Sequence, residues 1–250
     1  MAVDIGNSRI KYGLFANSTP PIAGQLPECQ WATAVGTEIP SIPWDGIQAA
    51  GGGGELQCIV SSVNPPVLSR FLDEYRVTGR SEPTVIRSYT QLPIRNLTSP
   101  PEQTGIDRLL KGVAGNLLRF ADQPMILVDS GTATTVDLLN ESGEFAGGAI
   151  LPGLSLGAQA LHDHTAQLPL IETEELRRHS PRSLGRNTQE ALRSGLYWGH
   201  VGSVWEVIRR LSSDHPGAYR NLLITGGAGG ILAHELVPSR ALLAWMRQAL

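Results

Sequence analysis

Two short stretches of the sequence each set a carboxylate at the mouth of a tight turn. Residues 2–15 read Ala-Val-Asp-Ile-Gly-Asn-Ser-Arg-Ile-Lys-Tyr-Gly-Leu-Phe, and residues 127–139 read Leu-Val-Asp-Ser-Gly-Thr-Ala-Thr-Thr-Val-Asp-Leu-Leu. Aligned on Asp4 and Asp129, both give a short apolar run, then Asp-x-Gly-(Asn/Thr), then a second β-type run. Glycine at the turn (Gly6, Gly131) admits positive φ, and the N–H groups of such a turn can surround a phosphate. The carboxylate would hold a cation, or a water of its shell, against that phosphate. Lys11, in the following strand, supplies a compact positive charge. Asp-Gly turns also close ordinary hairpins. Repetition at half the 250-residue chain, with Thr225-Gly226-Gly227 following late, favours a nucleotide gripped from both sides of a cleft.

Two other groups invite chemistry. Asp107 in Gly105-Ile106-Asp107-Arg108 reads as a helix-opening acid, with Thr104 at the N-cap and Asp107 at N3, beside solvated Arg108 and Lys111. A functional acid suits the same place. His162, Asp163 and His164 resemble metal ligands only superficially. Two histidines two positions apart point in different directions on a helix, and none follows at i+4.

The elements that must carry these residues alternate between strand and helix. Leu56–Val60 ends in Ser61-Ser62-Val63-Asn64-Pro65, and Leu222–Ile224 ends in Thr225-Gly226-Gly227, so each is a buried-type strand running into small residues. Phe145–Leu151 reads as a third strand of the second half. Turns are expected at Asn17–Pro21 and Asn140–Gly143, and a flexible one at Gly51–Gly54. Ile106, Leu109, Leu110, Val113, Ala114 and Leu117 follow one helix face. Asn187 with Glu190 reads as a cap opening a helix with Leu192, Leu196, Val204, Ile208 and Leu211 inward. Gly195, Gly199 and Gly202 recur there at helical spacing, as close packing or as weak helix. This pattern predicts an α/β fold in two lobes, 1–120 and 121–250, with the boundary near Phe120–Pro124.

Composition narrows the class. The net charge is −3, with 20 basic and 23 acidic residues, which is no nucleic-acid footprint. No apolar run approaches the ~20 residues of a membrane span, and the opening Met1-Ala2-Val3-Asp4 does not read as a signal peptide. A cytoplasmic protein is expected. Cys29 and Cys58 read as ordinary thiols, and the five Trp (31, 44, 198, 205, 245) as core or interface.

Asp4-x-Gly6-Asn7, Gly105-x-Asp107-Arg108, Asp129-x-Gly131-Thr132-Ala133-Thr134-Thr135 and Thr225-Gly226-Gly227 occur in the order found in type III pantothenate kinases. So do Gly148-x-Ile150-x-Pro152-Gly153 and Thr165-Ala166-x-Leu168-Pro169. The chain resembles that family over nearly its whole length. The resemblance implies two ribonuclease-H-like lobes of the actin-like, sugar-kinase superfamily, with the active site in the cleft between them. It also implies ATP-dependent phosphorylation of pantothenate, the first step of coenzyme A synthesis.

By the same resemblance, Asp107 is the general base. ATP with Mg²⁺ contacts Asp4, Ile5, Gly6, Asn7, Ser8, Arg9, Ile10, Lys11, Thr132, Gly226 and Gly227. Pantothenate contacts Thr98, Gly105, Ile106, Asp107, Arg108, His164, Thr165 and Thr188, with His164 and Thr165 reaching the neighbouring subunit's pocket in a homodimer. Asp129 holds a monovalent cation, K⁺ or NH₄⁺. The sequence departs from the family twice: Ala228 stands where Asp usually follows Thr-Gly-Gly, and Thr98 stands where many members have Tyr. A non-catalytic relative would fit those two departures. Another small-molecule kinase, for a sugar or acetate, would fit the turns alone and leave Gly-x-Asp-Arg and Thr-Ala-x-Leu-Pro unexplained.

Overall fold

Alternating burial along the first strands sets the frame. Val3, Ile5, Ile10, Tyr12 and Leu14 point inward while their neighbours face solvent, the pattern of strands covered on one face. The computed structural model describes residues 1–16, 24–38, 41–51 and 56–236. The turn expected at Asn17–Pro21, the glycines Gly52–Gly54 and Trp245 lie outside the described residues. Gly51, which is described, ends the turn after the first helix with φ +92°. The chain falls into two compact units, Met1–Leu118 and Arg119–Leu250.

The first unit contains β1 (Ala2–Ile5), β2 (Arg9–Phe15), β3 (Cys29–Gly36), α1 (Trp44–Ala49), β4 (Ile59–Ser62), α2 (Pro65–Arg76), β5 (Thr84–Ile86) and α3 (Ile106–Leu118). Its sheet has the order β3-β2-β1-β4-β5. β1 pairs antiparallel with β2 on one side and parallel with β4 on the other. The parallel partner needs a crossover, which passes through α1. α2 opens on Asn64, whose side chain accepts from Val67 N at 3.3 Å, with two prolines in the first turn where a missing N–H costs nothing. Its Val67, Phe71 and Tyr75 pack on the inward side chains of β1 and β2. Full burial of a side chain such as Phe71 contributes roughly 1.5–3 kcal/mol. Cys58 belongs to this core, where burial pushes its thiol up to about 11, and Cys29 is exposed.

The second unit repeats the plan. It contains β6 (Met125–Ser130), β7 (Ala133–Leu139), β8 (Phe145–Pro152), α4 (Leu154–Asp163), α5 (Thr173–Arg178), α6 (Thr188–Asp214), β9 (Leu222–Thr225) and α7 (Gly229–Leu236). The sheet order is β8-β7-β6-β9. β6 is antiparallel to β7 and parallel to β9, as β1 is to β2 and β4. Its run Met-Ile-Leu-Val is buried on both faces, as a central strand requires. α6 is capped as its sequence predicts: Asn187 accepts from Glu190 N at 2.9 Å, and Glu190 takes Arg186 N at 2.8 Å. Val204 and Ile208 are fully buried on its inner face. Gly195, Gly199 and Gly202 lie on the outer face with open space above each, so among the described residues they pack against nothing. Among the described residues, no helix is long and apolar enough to cross a membrane.

Candidate active site

Asp4 lies near the end of β1, opposite Lys11 on β2 and beside Ser61 on β4. Both neighbours bond its carboxylate: Lys11 Nζ is 3.2 Å from Oδ2, and Ser61 Oγ donates to Oδ1 at 3.2 Å. With Lys11 61% and Asp4 38% exposed, this ion pair is solvent-screened and contributes about 0–1 kcal/mol. Lys11 can therefore exchange it for a phosphate at little cost.

The turn itself corrects the expectation of a left-handed glycine cradle. Neither Gly6 nor Gly131 has positive φ. Gly6 N donates to Arg9 O at 3.0 Å and Gly131 N to Ala133 O at 3.1 Å, so each turn closes on its own amide. Asn7, Ser8 and Arg9 form the exposed tip. Ile5 and Ile10 are fully buried in the core, which leaves only their main chain for a nucleotide.

In the second unit Asp129 occupies the equivalent place, paired across to Thr135 and alongside Thr225. The turn that follows β9 presses directly on it. Gly226 has φ +94°, and a Cβ there would lie 2.5 Å from Asp129 Oδ1 and 2.5 Å from Ser130 O. Only a residue without Cβ lets this turn approach the carboxylate. Gly153, at the N-terminus of α4, likewise abuts the carbonyls of Gly131 and Thr132, and its amide donates to Thr132 O at 3.0 Å. Three backbone segments thus converge beside Asp129 and Thr132. Ala228 N donates to Ser130 O at 3.0 Å and its methyl is buried in the core, so the departure at 228 meets an apolar setting where an Asp carboxylate would be desolvated.

Asp107 lies in the first turn of α3, and here the cap differs from expectation. Gly105 O accepts from Arg108 N at 3.1 Å and Leu109 N at 3.3 Å, so Gly105 is the N-cap and Asp107 sits at N2. Thr104 is drawn instead into a preceding turn at Pro101–Gln103, its amide bonding Pro101 O at 3.3 Å. The Asp107 carboxylate is 36% exposed, with Oδ2 3.4 Å from Lys111 Nζ one turn on. Ile106, Arg108 and Lys111 share the same helix.

Thr98 is engaged structurally. Its hydroxyl donates to Asn96 Oδ1 at 2.9 Å and meets the Thr104 hydroxyl, which ties the loop before Gly105 to itself. His164 caps the C-terminus of α4, with its amide on Ala160 O, and Thr165 Oγ1 donates to Leu161 O at 2.7 Å. Both are exposed. His162 Nδ1 pairs with Leu168 O, and among the described residues no group of three metal-ligating side chains exists. Thr188, Ala191, Leu192, Gly195 and Leu196 of α6, with Leu161 and Leu168, line an apolar groove of about 300 Å³.

One buried network had no signal in the sequence. His200 Nε2 on α6 lies 2.9 Å from Ser130 Oγ, which also meets Thr134 Oγ1 at 3.2 Å. Burial pulls His200 below its ordinary value and keeps it neutral. The pair is 70 residues apart in sequence and buttresses the residue next to Asp129.

Two α/β units of like strand order, each with an acid near the end of a central strand, make up the described chain. The fold is similar to that of the activator of the 2-hydroxyisocaproyl-CoA dehydratase from Clostridium difficile with bound ADPNP. That likeness has a TM-score of 0.50 at 13% identity and covers 98% of this chain and 84% of that one. The chain belongs to the type III pantothenate kinase family, whose family model matches residues 1–210. It is 33% identical over 240 residues to the type III pantothenate kinase of Dehalococcoides mccartyi (strain BAV1), covering 93% of this chain and 86% of that one. To the type III pantothenate kinase of Persephonella marina it is 30% identical over 236 residues, covering 94% and 90%.

Proposed function

We propose that this protein is a pantothenate kinase that transfers the γ-phosphoryl group of ATP to the primary hydroxyl of pantothenate. The observation that carries this reading is Asp107: an accessible carboxylate in the first turn of α3, flanked by Arg108 and Lys111, in a member of this family. As the pantothenate oxygen bonds to phosphorus and ADP leaves, Asp107 accepts the hydroxyl proton. Arg108 meets the substrate carboxylate, Gly105, Ile106, Thr98 and Thr188 complete the acceptor's surroundings, and His164 and Thr165 reach the acceptor in the neighbouring subunit of a homodimer. Phosphoryl transfer asks a protein mainly for positioning and charge stabilisation, which suits a site with a single mobile proton.

ATP is held by Asp4, the tip Asn7–Arg9, Lys11 and the main chain of Ile5, Gly6 and Ile10, with Thr132 and the Gly226–Gly227 turn taking the rest of the nucleotide. One exposed carboxylate fits Mg²⁺, which is commonly bound through one or two carboxylates plus substrate phosphates. When bound, that ion neutralises charge developing on the phosphates. Asp129, whose carboxylate lies with the Ser130 carbonyl oxygen beside the Gly226 turn, would give a monovalent cation oxygen ligands. The cytoplasm, where ATP is supplied, is the compartment this reading implies.

Release of ADP by the full chain tests it. Turnover is expected only with pantothenate present, and faster in K⁺ or NH₄⁺ than in Na⁺. A folded protein without pantothenate-dependent ADP release would overturn the function in favour of a binding relative. Equal rates in Na⁺ and K⁺ would remove the cation from Asp129.

A homodimer belongs to the same reading. The smooth outer face of α6, with Gly195, Gly199, Gly202 and Trp198 exposed and the exposed Leu161 lining a groove with Gly195, supports it. Sedimentation at micromolar concentration should give twice the 26.8 kDa chain mass. A fully active monomer would rule the dimer out as a functional requirement.

A further inference from the structure

Arg177, on α5, stands beside the Gly226–Gly227 turn in a way that the surface ion pairs around it do not share. Its Nη1 is 4.0 Å from where a Cβ on Gly227 would be, and among the described residues beyond the neighbours of Gly227 in the chain no other atom comes that close. The guanidinium is held from two elements: Glu174 Oε2 lies 3.3 Å from Nη1, and Nη2 donates to Ser155 Oγ, on the first turn of α4, at 3.4 Å. Ser155 Oγ is in turn 2.8 Å from Thr173 Oγ1. The side chain is 27% exposed, against 70% for Arg178, which shares the same glutamate. Its Nε is buried with no hydrogen-bond partner among the described residues. Burying a donor unpaired is costly, a cost that Arg193 Nε, whose guanidinium pairs through Nη2 with Glu175, also bears. What the arrangement does is hold a planar cation at a fixed edge of an open glycine surface.

We propose that Arg177 is the residue that positions the nucleoside end of ATP, bearing on the base laid over Gly226–Gly227. This rests on the reading of that turn as the nucleotide's surface. The base fits better than a phosphate because the Glu174 carboxylate, already 3.3 Å from the guanidinium, offsets its charge and would repel an anion. A guanidinium whose charge is paired still offers a flat face and free donor edges to a purine.

The experiment is equilibrium binding to the full chain, without pantothenate, of ATP and of ribose 5-triphosphate, which lacks the base. Arg177→Met should weaken ATP about tenfold, the scale of one base contact, and leave ribose 5-triphosphate within about twofold. Arg177→Lys keeps the charge and the reach to Glu174 and Ser155 but loses the plane, so it should resemble Arg177→Met. Arg178→Met should bind both ligands as the parent does. Equal loss for the two ligands would make Arg177 a phosphate contact and overturn the proposal, as would unchanged ATP binding in both Arg177 variants. Thermal melting of Arg177→Lys separates binding loss from misfolding. Binding read without an acceptor stands apart from the kinase assignment: ATP binding with no pantothenate-dependent ADP release sinks that assignment and leaves Arg177 in place.

Discussion

Asp107→Asn is expected to lower kcat by about 10²–10⁴-fold, the range of general-base contributions, while KM for pantothenate moves little. Asparagine preserves size, and removes the charge and with it the ability to accept the hydroxyl proton. At about 1.4 kcal/mol per decade, this is a barrier increase of roughly 3–5 kcal/mol. The competing account makes Asp107 a helix-start acid that complements the dipole and pairs with Lys111 one turn on. The dipole contributes about 0.3–1 kcal/mol and an i,i+4 pair about 0.2–0.5 kcal/mol, so together they reach little more than ~1 kcal/mol. The two accounts therefore differ by orders of magnitude in kcat and agree on a small change in melting temperature. Steady-state kinetics and thermal melting of this one variant decide between them. A variant with nearly intact kcat and a slightly lower melting temperature would leave the proton without its acceptor.

Gly226→Ala is expected to damage stability and the site together. A residue with Cβ at φ +94° costs roughly 1–2 kcal/mol in backbone strain alone. Its methyl would also meet Asp129 Oδ1 and the Ser130 carbonyl oxygen at 2.5 Å, and two of its three nearest atoms belong to the main chain of a central strand. A backbone so placed yields only if β6 and β9 separate locally. A total near 3 kcal/mol would lower the melting temperature by roughly 6–12 °C at 2–4 °C per kcal/mol. Because the displaced atom is the Asp129 carboxylate, whatever preference turnover shows for K⁺ over Na⁺ should fall with it. An Ala variant that melts within a degree of the parent and keeps its cation preference would show that the turn has room to spare.

Much of this was legible in sequence because it is local or repeated. The echo of Asp4 in Asp129 anticipated two sheets of like strand order, and the 3.6-residue period of Ile106 to Leu117 anticipated α3. The Asn187–Glu190 cap needed only four residues to be read. Other features depended on neighbours far along the chain. Thr104 looked like an N-cap until Pro101–Gln103 drew it into a turn of its own, which moved the cap to Gly105. Positive φ was assigned to the wrong glycines: Gly6 and Gly131 close on their own amides, and the left-handed residue is Gly226. That could be seen only once β9 lay beside β6. Ile5 and Ile10 looked like part of a phosphate loop, but the strand's period of two turns their side chains into the core. The His200–Ser130 bond joins a helix to a strand by packing alone, and no spacing rule links them.

The parallel pairing of β6 with β9 also bears on how the chain is made. Asp129 sits beside Thr225, a residue synthesised 96 positions later, whereas Asp4 finds Ser61 after 57. At about 5–20 residues per second, β6 emerges some 5–20 s before its second neighbour exists. During that interval Met-Ile-Leu-Val carries an unpaired apolar edge, the kind of strand that templates pairing between chains. A nascent or truncated chain ending before residue 222 keeps that edge permanently, so aggregation during expression is its expected fate, and the strand that carries Asp129 is the one most exposed to it.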